Sequence, residues 1–557
     1  MQSVLLVLMG AIMMNAQSPF DALLDRYFDD QFRLHPSRAT AFGFHHPYDS
    51  QLEDYSANGI HEEIAIDNKY LAEFGKMPIT DERDLVISNI QADLLKLQTI
   101  RPWDMNPDYY SSGVTESIFG LMSRKFAPAE QRLRDVIARE QKIPEVLADA
   151  RQNLKNPPKI YTEVALEQLP GIGSFFFTDV PAAFVEVKDE DLLAQFKKSN
   201  AAATEALKSY ENWLRTNLLP RSRGEFRIGA EAYQKKLMYE EMVDLPLNRL
   251  LAIGYRNLRE NQQQLVDVSK KIDANKTPQQ IAEKIENDHP APDQLLQSFR
   301  GTLDGLIEFI NAHHIITIPS TIKPILEETP PFERALTTAS MDTPGPYEKV
   351  ATEAYFNVTL PAKSWSAKQI EEFMTAFNRG TIATTAIHEA YPGHYVQLLW
   401  FQKLQSKIRK LIGCGTNIEG WAHYTEQMML DEGYGNGDPE LRAGQLLDAL
   451  LRNCRYIVGI EMHTGKMTYE QGIQFFMREG YMSRNYAERE TKRGTSDPTY
   501  LVYTLGKLQI LKLREDYRKK MGTSFSLEQF HDNFIQQGGV PIKLIRKTML
   551  GDDSPTL

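Results

Sequence analysis

His388-Glu389-Ala390-Tyr391-Pro392-Gly393-His394 is the stretch on which the reading of this chain turns. A helical HExxH places two histidines at i and i+4 on one face, with the glutamate beside them as general base for metal-assisted hydrolysis. Here the histidines stand at i and i+6. At ~100° per residue, an unbroken helix would turn the second well off the face of the first. Pro392 removes a backbone donor and Gly393 tolerates unusual dihedrals. The sequence therefore predicts that the helix carrying His388 ends or kinks between Tyr391 and His394. Taken alone, these seven residues also suit a buried polar cluster without a metal.

Working outward, Asn417-Ile418-Glu419-Gly420-Trp421-Ala422-His423-Tyr424-Thr425-Glu426 follows after one helix and a turn at Gly413-Cys414-Gly415. A catalytic zinc takes three protein ligands and keeps one position open. His388, His394 and Glu419 on antiparallel helices supply that set, with Glu389 as the base. His423 lies at i+4 from Glu419 and is read as a partner to a ligand carboxylate in preference to a ligand. Glu426, two turns on, reads as solvated or structural.

Helical periodicity dominates elsewhere. It covers Pro19 to Leu34, Asp135 to Asn153, Leu192 to Asn217, Pro246 to Ala274 and Asp293 to Ala312, and then most of the last third. Asn156-Pro157-Pro158, Pro170-Gly171-Ile172-Gly173 and Pro290-Ala291-Pro292 punctuate it. One segment differs. Glu353-Ala-Tyr-Phe-Asn-Val-Thr-Leu-Pro361 is rich in β-branched and aromatic residues and reads as a strand at a sheet edge. An edge strand pairs with an extended peptide backbone, which makes Tyr355 and Asn357 candidate substrate-binding residues. The expected fold is mainly α, two-lobed, with a small β-sheet beside the helix of the metal motif. Residues 17–330 form a helical N-terminal region and residues 331–557 carry the chemistry.

The chain has 557 residues, more than the ~250–300 that one hydrophobic core usually supports. Its net charge is −11 and its basic residues form no tail or stripe. A nucleic-acid partner is therefore not expected. Residues 1–16 read as an export signal: Val4 to Met14 is apolar but too short to span a bilayer. No cysteine follows that run, so a lipid anchor is not expected. The mature protein is expected to be exported, periplasmic or extracellular, without stable membrane insertion. Cys414 and Cys454 are the only cysteines, and either one disulfide or two buried thiols fits them. His45-His46 and His313-His314 lack acidic partners at ligand spacing and are not read as metal sites.

HExxPGH followed by EGWA resembles the bacterial family called domain of unknown function 885, which is related to zinc peptidases of the gluzincin type. The resemblance runs over most of the chain, from Pro36-Ser37-Arg38-Ala39-Thr40-Ala41-Phe42-Gly43 to Tyr503-Thr504-Leu505-Gly506-Lys507. Glu490, Arg493 and Pro498 fall where the family has E-x-x-R-Y and a proline. Val458-Gly459-Ile460-Glu461-Met462-His463 is similar to its D-x-G-x-H segment, with glutamate for aspartate. Where the family often has PGHH, this chain has His394-Tyr395. The resemblance implies a two-lobed metallopeptidase fold, one Zn2+ per chain and a peptide substrate. It nominates His463 and Tyr503 as donors to the oxyanion of a tetrahedral intermediate. The competing reading is a helix-end histidine with a local partner and a core tyrosine. Arg489 or Arg493 is a candidate clamp for a peptide carboxylate; for Arg493 the alternative is an ion pair with Glu490. Two other functions compete with a peptidase: a zinc amidase acting on non-peptide amides, and a non-catalytic binding protein on a peptidase fold.

Overall fold

A computed structural model describes residues 18–330, 334 and 337–557. The leader expected at residues 1–16 lies outside them. The chain is mainly helical, with one three-stranded sheet. No helix among the described residues is long and apolar enough to cross a membrane.

Apolar stripes of successive helices build three cores. One draws on residues from Tyr55 to Leu218, with Ala351. A second joins Tyr233–Ile285 to Ala443–Leu505, because the amphipathic helix Leu247–Ile272 lies along the helix Pro439–His463. The largest takes residues from Leu23 to Leu94, from Leu295 to Met429 and from Ile510 to Met549. All three cores thus mix residues from both sides of position 330, the first of them through Ala351 alone.

Helix boundaries depart from periodicity where a local residue intervenes. The stretch from Asp135 to Asn153 is two helices, Ala129–Glu140 and Ile143–Asn153. Pro170, expected to punctuate, sits inside the helix Lys159–Ser174. The following π-turn, Phe175–Asp179, has a looser bonding pattern that accommodates such a break.

The sheet corrects one expectation. Its strands are β1 (Ile325–Glu328), β2 (Ala339–Asp342) and β3 (Tyr355–Val358), in the order β1-β3-β2. β3 is the central strand, parallel to β1 and antiparallel to β2. Both its hydrogen-bonding edges are used within the sheet, so no substrate backbone can pair with it. Alternation then divides its residues between faces. Phe356 and Val358 enter the large core, where Phe356 meets Phe299 edge-on, with ring centroids 5.3 Å apart. Tyr355 and Asn357 take the opposite, polar face. There the Arg124 guanidinium lies 5.7 Å from the Tyr355 ring and bonds Asp342 at 2.6 Å. β2 packs against the helix Arg379–Glu389, which carries His388.

Candidate metal centre

The turn between His388 and His394 solves the spacing problem stated by the sequence. The His388 helix, Arg379–Glu389, stops at Glu389, and a new helix, His394–Lys403, starts at His394. The break begins at Ala390, one residue earlier than Tyr391. The Gly393 N–H then donates back to the Ile387 carbonyl at 3.0 Å. A Cβ at position 393 would sit 1.8 Å from the His388 carbonyl oxygen, so no larger residue fits without moving the turn. Trp421 secures it from outside, its indole N–H donating to the Pro392 carbonyl at 2.9 Å. The two imidazoles meet edge to face, with centroids 4.8 Å apart.

Glu419 arrives on the helix Gly415–Asp431. Its Oε2 lies 3.4 Å from His388 Nε2 and 3.4 Å from His394 Nε2. One ligand atom from each of the three residues lies within 4.8 Å of the others. Glu419 Oε2 is buried and makes no hydrogen bond of normal geometry with either imidazole. Three ligand atoms thus converge on one point without satisfying one another, as the donors of a cation site do.

The surroundings fix the tautomer of His388. Its Nδ1–H donates to Glu426 Oε1 at 2.7 Å, which turns Nε2 toward Glu419, where its lone pair would face a bound metal. Glu426 is fully buried, so of the two expected roles, solvated or structural, the solvated one falls. Its other oxygen accepts from His423 Nδ1–H at 3.1 Å, and Arg452 reaches Oε1 at 3.3 Å. His423 therefore serves Glu426 and not the Glu419 carboxylate. Arg452 belongs to the helix Pro439–His463, whose Asp448, one turn earlier, takes the Thr384 hydroxyl from the His388 helix. The i+7 spacing of Glu426 from Glu419 puts both on one helical face; that signal was present in the sequence and underweighted.

Electrostatics follow from this packing. Burial pulls the His388 pKa down, but the carboxylates of Glu419 and Glu426 beside it win and hold it at about 10. Burial pushes Glu419 up, and His388 and His394 outweigh it, so the carboxyl lies well below the usual range. Burial also raises Glu426; the Arg452 guanidinium and His423 overcome it and keep it ionised. The pocket thus favours positive charge between its carboxylates, whether carried by protons or by a metal. Glu389 responds differently. Burial raises its pKa against the opposing pull of His388 and His394. Its side chain has no hydrogen-bond partner among the described residues.

Tyr503 joins the site and His463 does not. Tyr503 stands on the helix Val502–Met521, which crosses the Glu419 helix closely because Gly420 meets Gly506: a Cβ on Gly506 would lie 1.9 Å from the Thr416 carbonyl oxygen. Its ring lies 6.2 Å from that of His388 at an interplanar angle of 22°. His463, by contrast, spends Nε2 on the Gly494 carbonyl at 2.7 Å, and its Nδ1 is met by the Ile228 N–H at 3.5 Å. Burial lowers its pKa to about 4. It ties the helix Arg484–Ser496 to the Ile228 turn, a structural role whose partners are distant in sequence, unlike the local partner that competed with the oxyanion donor. Glu490 pairs with Arg455 at 2.7 and 3.0 Å instead of with Arg493. Arg493 is exposed and donates to Tyr503 Oη at 3.2 Å. Asn357 is buried on the sheet's polar face with Oδ1 unpartnered, beside Ser340 in register. Elsewhere, Cys414 and Cys454 are buried free thiols. His45 does have carboxylate partners, Asp49 at 3.1 Å and Glu348 at 2.8 Å, which the spacing had not suggested.

These features belong to a helical protein with a His-His-Glu cluster under a small sheet. A family model described as bacterial protein of unknown function (DUF885) matches residues 36–549, and the chain belongs to that family. A solved structure from Shewanella oneidensis, described as a candidate lipoprotein of unknown function, is similar at 29% identity with a TM-score of 0.78. That likeness covers 96% of this chain and 100% of the other. A candidate lipoprotein from Colwellia psychrerythraea shares the fold at 18% identity and a TM-score of 0.80, over 95% of this chain and 98% of that one. No curated protein matches the chain.

Proposed function

We propose that the protein is a zinc-dependent peptidase. The observation that carries this reading is the convergence of His388 Nε2, His394 Nε2 and Glu419 Oε2, with the Oε2 buried and unbonded. Two imidazoles and one carboxylate form a donor set that suits zinc and leaves a position open. Bound there, the metal would supply Lewis acidity and lower the pKa of a water molecule. The chain's own residues do the rest. Glu426 orients His388, and Glu389, with its raised pKa, takes a proton from water and returns it to the leaving amine. Tyr503, whose hydroxyl hydrogen has no acceptor among the described residues, donates to the carbonyl oxygen as it gains charge. The edge that pairs with a peptide backbone moves from β3 to β2, which lies against the His388 helix.

The test is metal analysis of the purified protein with a peptide-pool digest read by mass spectrometry. We expect about one zinc per chain and cleavage that Glu389→Gln lowers by ~10²–10⁴-fold while keeping the metal. Zinc with cleavage of non-peptide amides alone would transfer the site to an amidase; zinc with no hydrolysis would make it a binding protein. Export is part of the same reading. It rests on the apolar run from Val4 to Met14 and on structural relatives described as candidate lipoproteins. Cell fractionation tests it, and a cytoplasmic pool of full-length protein would refute it.

A further inference from the structure

Two guanidinium groups lie by the Tyr503 ring, those of Arg455 and Arg493. Arg455 lies 5.2 Å from the ring but gives two hydrogen bonds to Glu490. Arg493 is different. It bonds Tyr503 Oη and Asp497 through the same nitrogen, Nη2, at 3.2 Å each. Its Nε and Nη1 bond no protein group among the described residues. Asp497 is a weak competitor, since both partners of that ion pair are about two-fifths exposed.

A carboxylate that displaces the half-exposed Asp497 from Nη2 would meet a planar fork made of Nη2 and one of the free nitrogens, next to a tyrosine whose own proton is unused. The tyrosine ring in turn lies against His388. A guanidinium fork matches a carboxylate in two parallel hydrogen bonds. Resting on the peptidase reading above, we infer that Arg493, beside the Tyr503 that meets the carbonyl, reads the free C-terminal carboxylate of the substrate, so that the enzyme cuts peptides from their C-terminus.

Tyr503 Oη and Arg493 Nη2 are in direct contact at 3.2 Å, so the groups they bond on a substrate are near neighbours, which places a carboxylate on Arg493 close to the bond that is cut. Cleavage adds one water across the C-terminal peptide bond: hydroxide goes to the carbonyl carbon, and the proton goes to the departing amine. One free amino acid leaves per turnover.

The experiment compares one peptide as its free acid and as its C-terminal amide, with metal-loaded wild type, Arg493→Gln and Arg493→Lys. Wild type should prefer the acid in kcat/KM by on the order of 10²-fold, the range for charge-assisted hydrogen bonds, and should release single amino acids. Arg493→Gln should bring the acid-to-amide ratio close to one, with metal content and melting temperature retained. Arg493→Lys, which keeps the charge and loses the fork, should give an intermediate ratio. Equal cleavage of acid and amide by wild type, a ratio retained in Arg493→Gln, or first cuts inside the peptide would overturn the inference and leave the peptidase reading standing. Cleavage of neither peptide would overturn both.

Discussion

Glu426 shows what one buried side chain does for the candidate centre. It accepts from His388 and His423 and neutralises Arg452, all with no exposure to solvent. Losing a carboxylate that orients a ligand histidine typically costs 10–100-fold in metal affinity. We therefore expect Glu426→Gln to weaken zinc binding by about that factor, measured by competition with a chelating dye. Unchanged affinity would reduce Glu426 to a packing role. His388, His394, Glu419 and Glu389 were legible in the sequence because ligand type and spacing are local properties. Glu426 was not weighed properly, since an acidic residue on a helix is solvated by default and only the packed neighbours reveal otherwise. His463 was misplaced for the converse reason: a motif names a residue, and its hydrogen-bond partners at Gly494 and Ile228 lie far away in the chain.

Among elements, the crossing of the Glu419 and Tyr503 helices sets the site's geometry. Gly420 and Gly506 let the two backbones touch, and Tyr503, one turn before Gly506, reaches His388 as a result. Gly506→Ala puts a methyl group against the Thr416 carbonyl. Overpacking of this kind costs ~1–3 kcal/mol, which urea denaturation should register as a lower midpoint. Activity should fall further than stability accounts for, because Tyr503 and Glu419 are pushed apart. A midpoint equal to wild type would show that the helices have slack. The helices themselves were readable from apolar spacing, as Pro439–His463 and Leu247–Ile272 illustrate. The position of β3 was not. Its partners, Ile-Leu-Glu-Glu at 325–328 and Ala-Ser-Met-Asp at 339–342, carry little strand preference of their own. Pairing across the chain makes them strands, so no local pattern separates a central strand from an edge.

For the molecule as a whole, a buried neutral histidine links stability to pH. His531 is fully buried; its Nδ1–H donates to the Ile315 carbonyl at 2.7 Å, and Nε2 accepts from the Tyr424 hydroxyl at 2.8 Å. Burial lowers its pKa to about 3. Below pH ~6.5 the unfolded chain binds a proton that the folded chain refuses, so this histidine's contribution is present above that pH and is lost as pH falls toward 3. Relative to His531→Phe, wild type should lose about 2 kcal/mol of stability between pH 7 and pH 5. Chemical denaturation at the two pH values checks it, and a constant difference would show that His531 takes up its proton in the fold. The three-core arrangement has a consequence for how the chain comes to be folded. The helix Pro19–Leu34 buries Leu23, Tyr27 and Phe28 in the same core as Ile545 and Met549. Part of that apolar face is met early, since Tyr27 packs against Tyr70 and Phe74, but the core as a whole waits for residues near the end of the chain. The core of residues 55–218 draws only Ala351 from later on, so most of it can close while the rest is still being made. A chain cut short past its middle would keep that core nearly whole and leave the largest one unfinished.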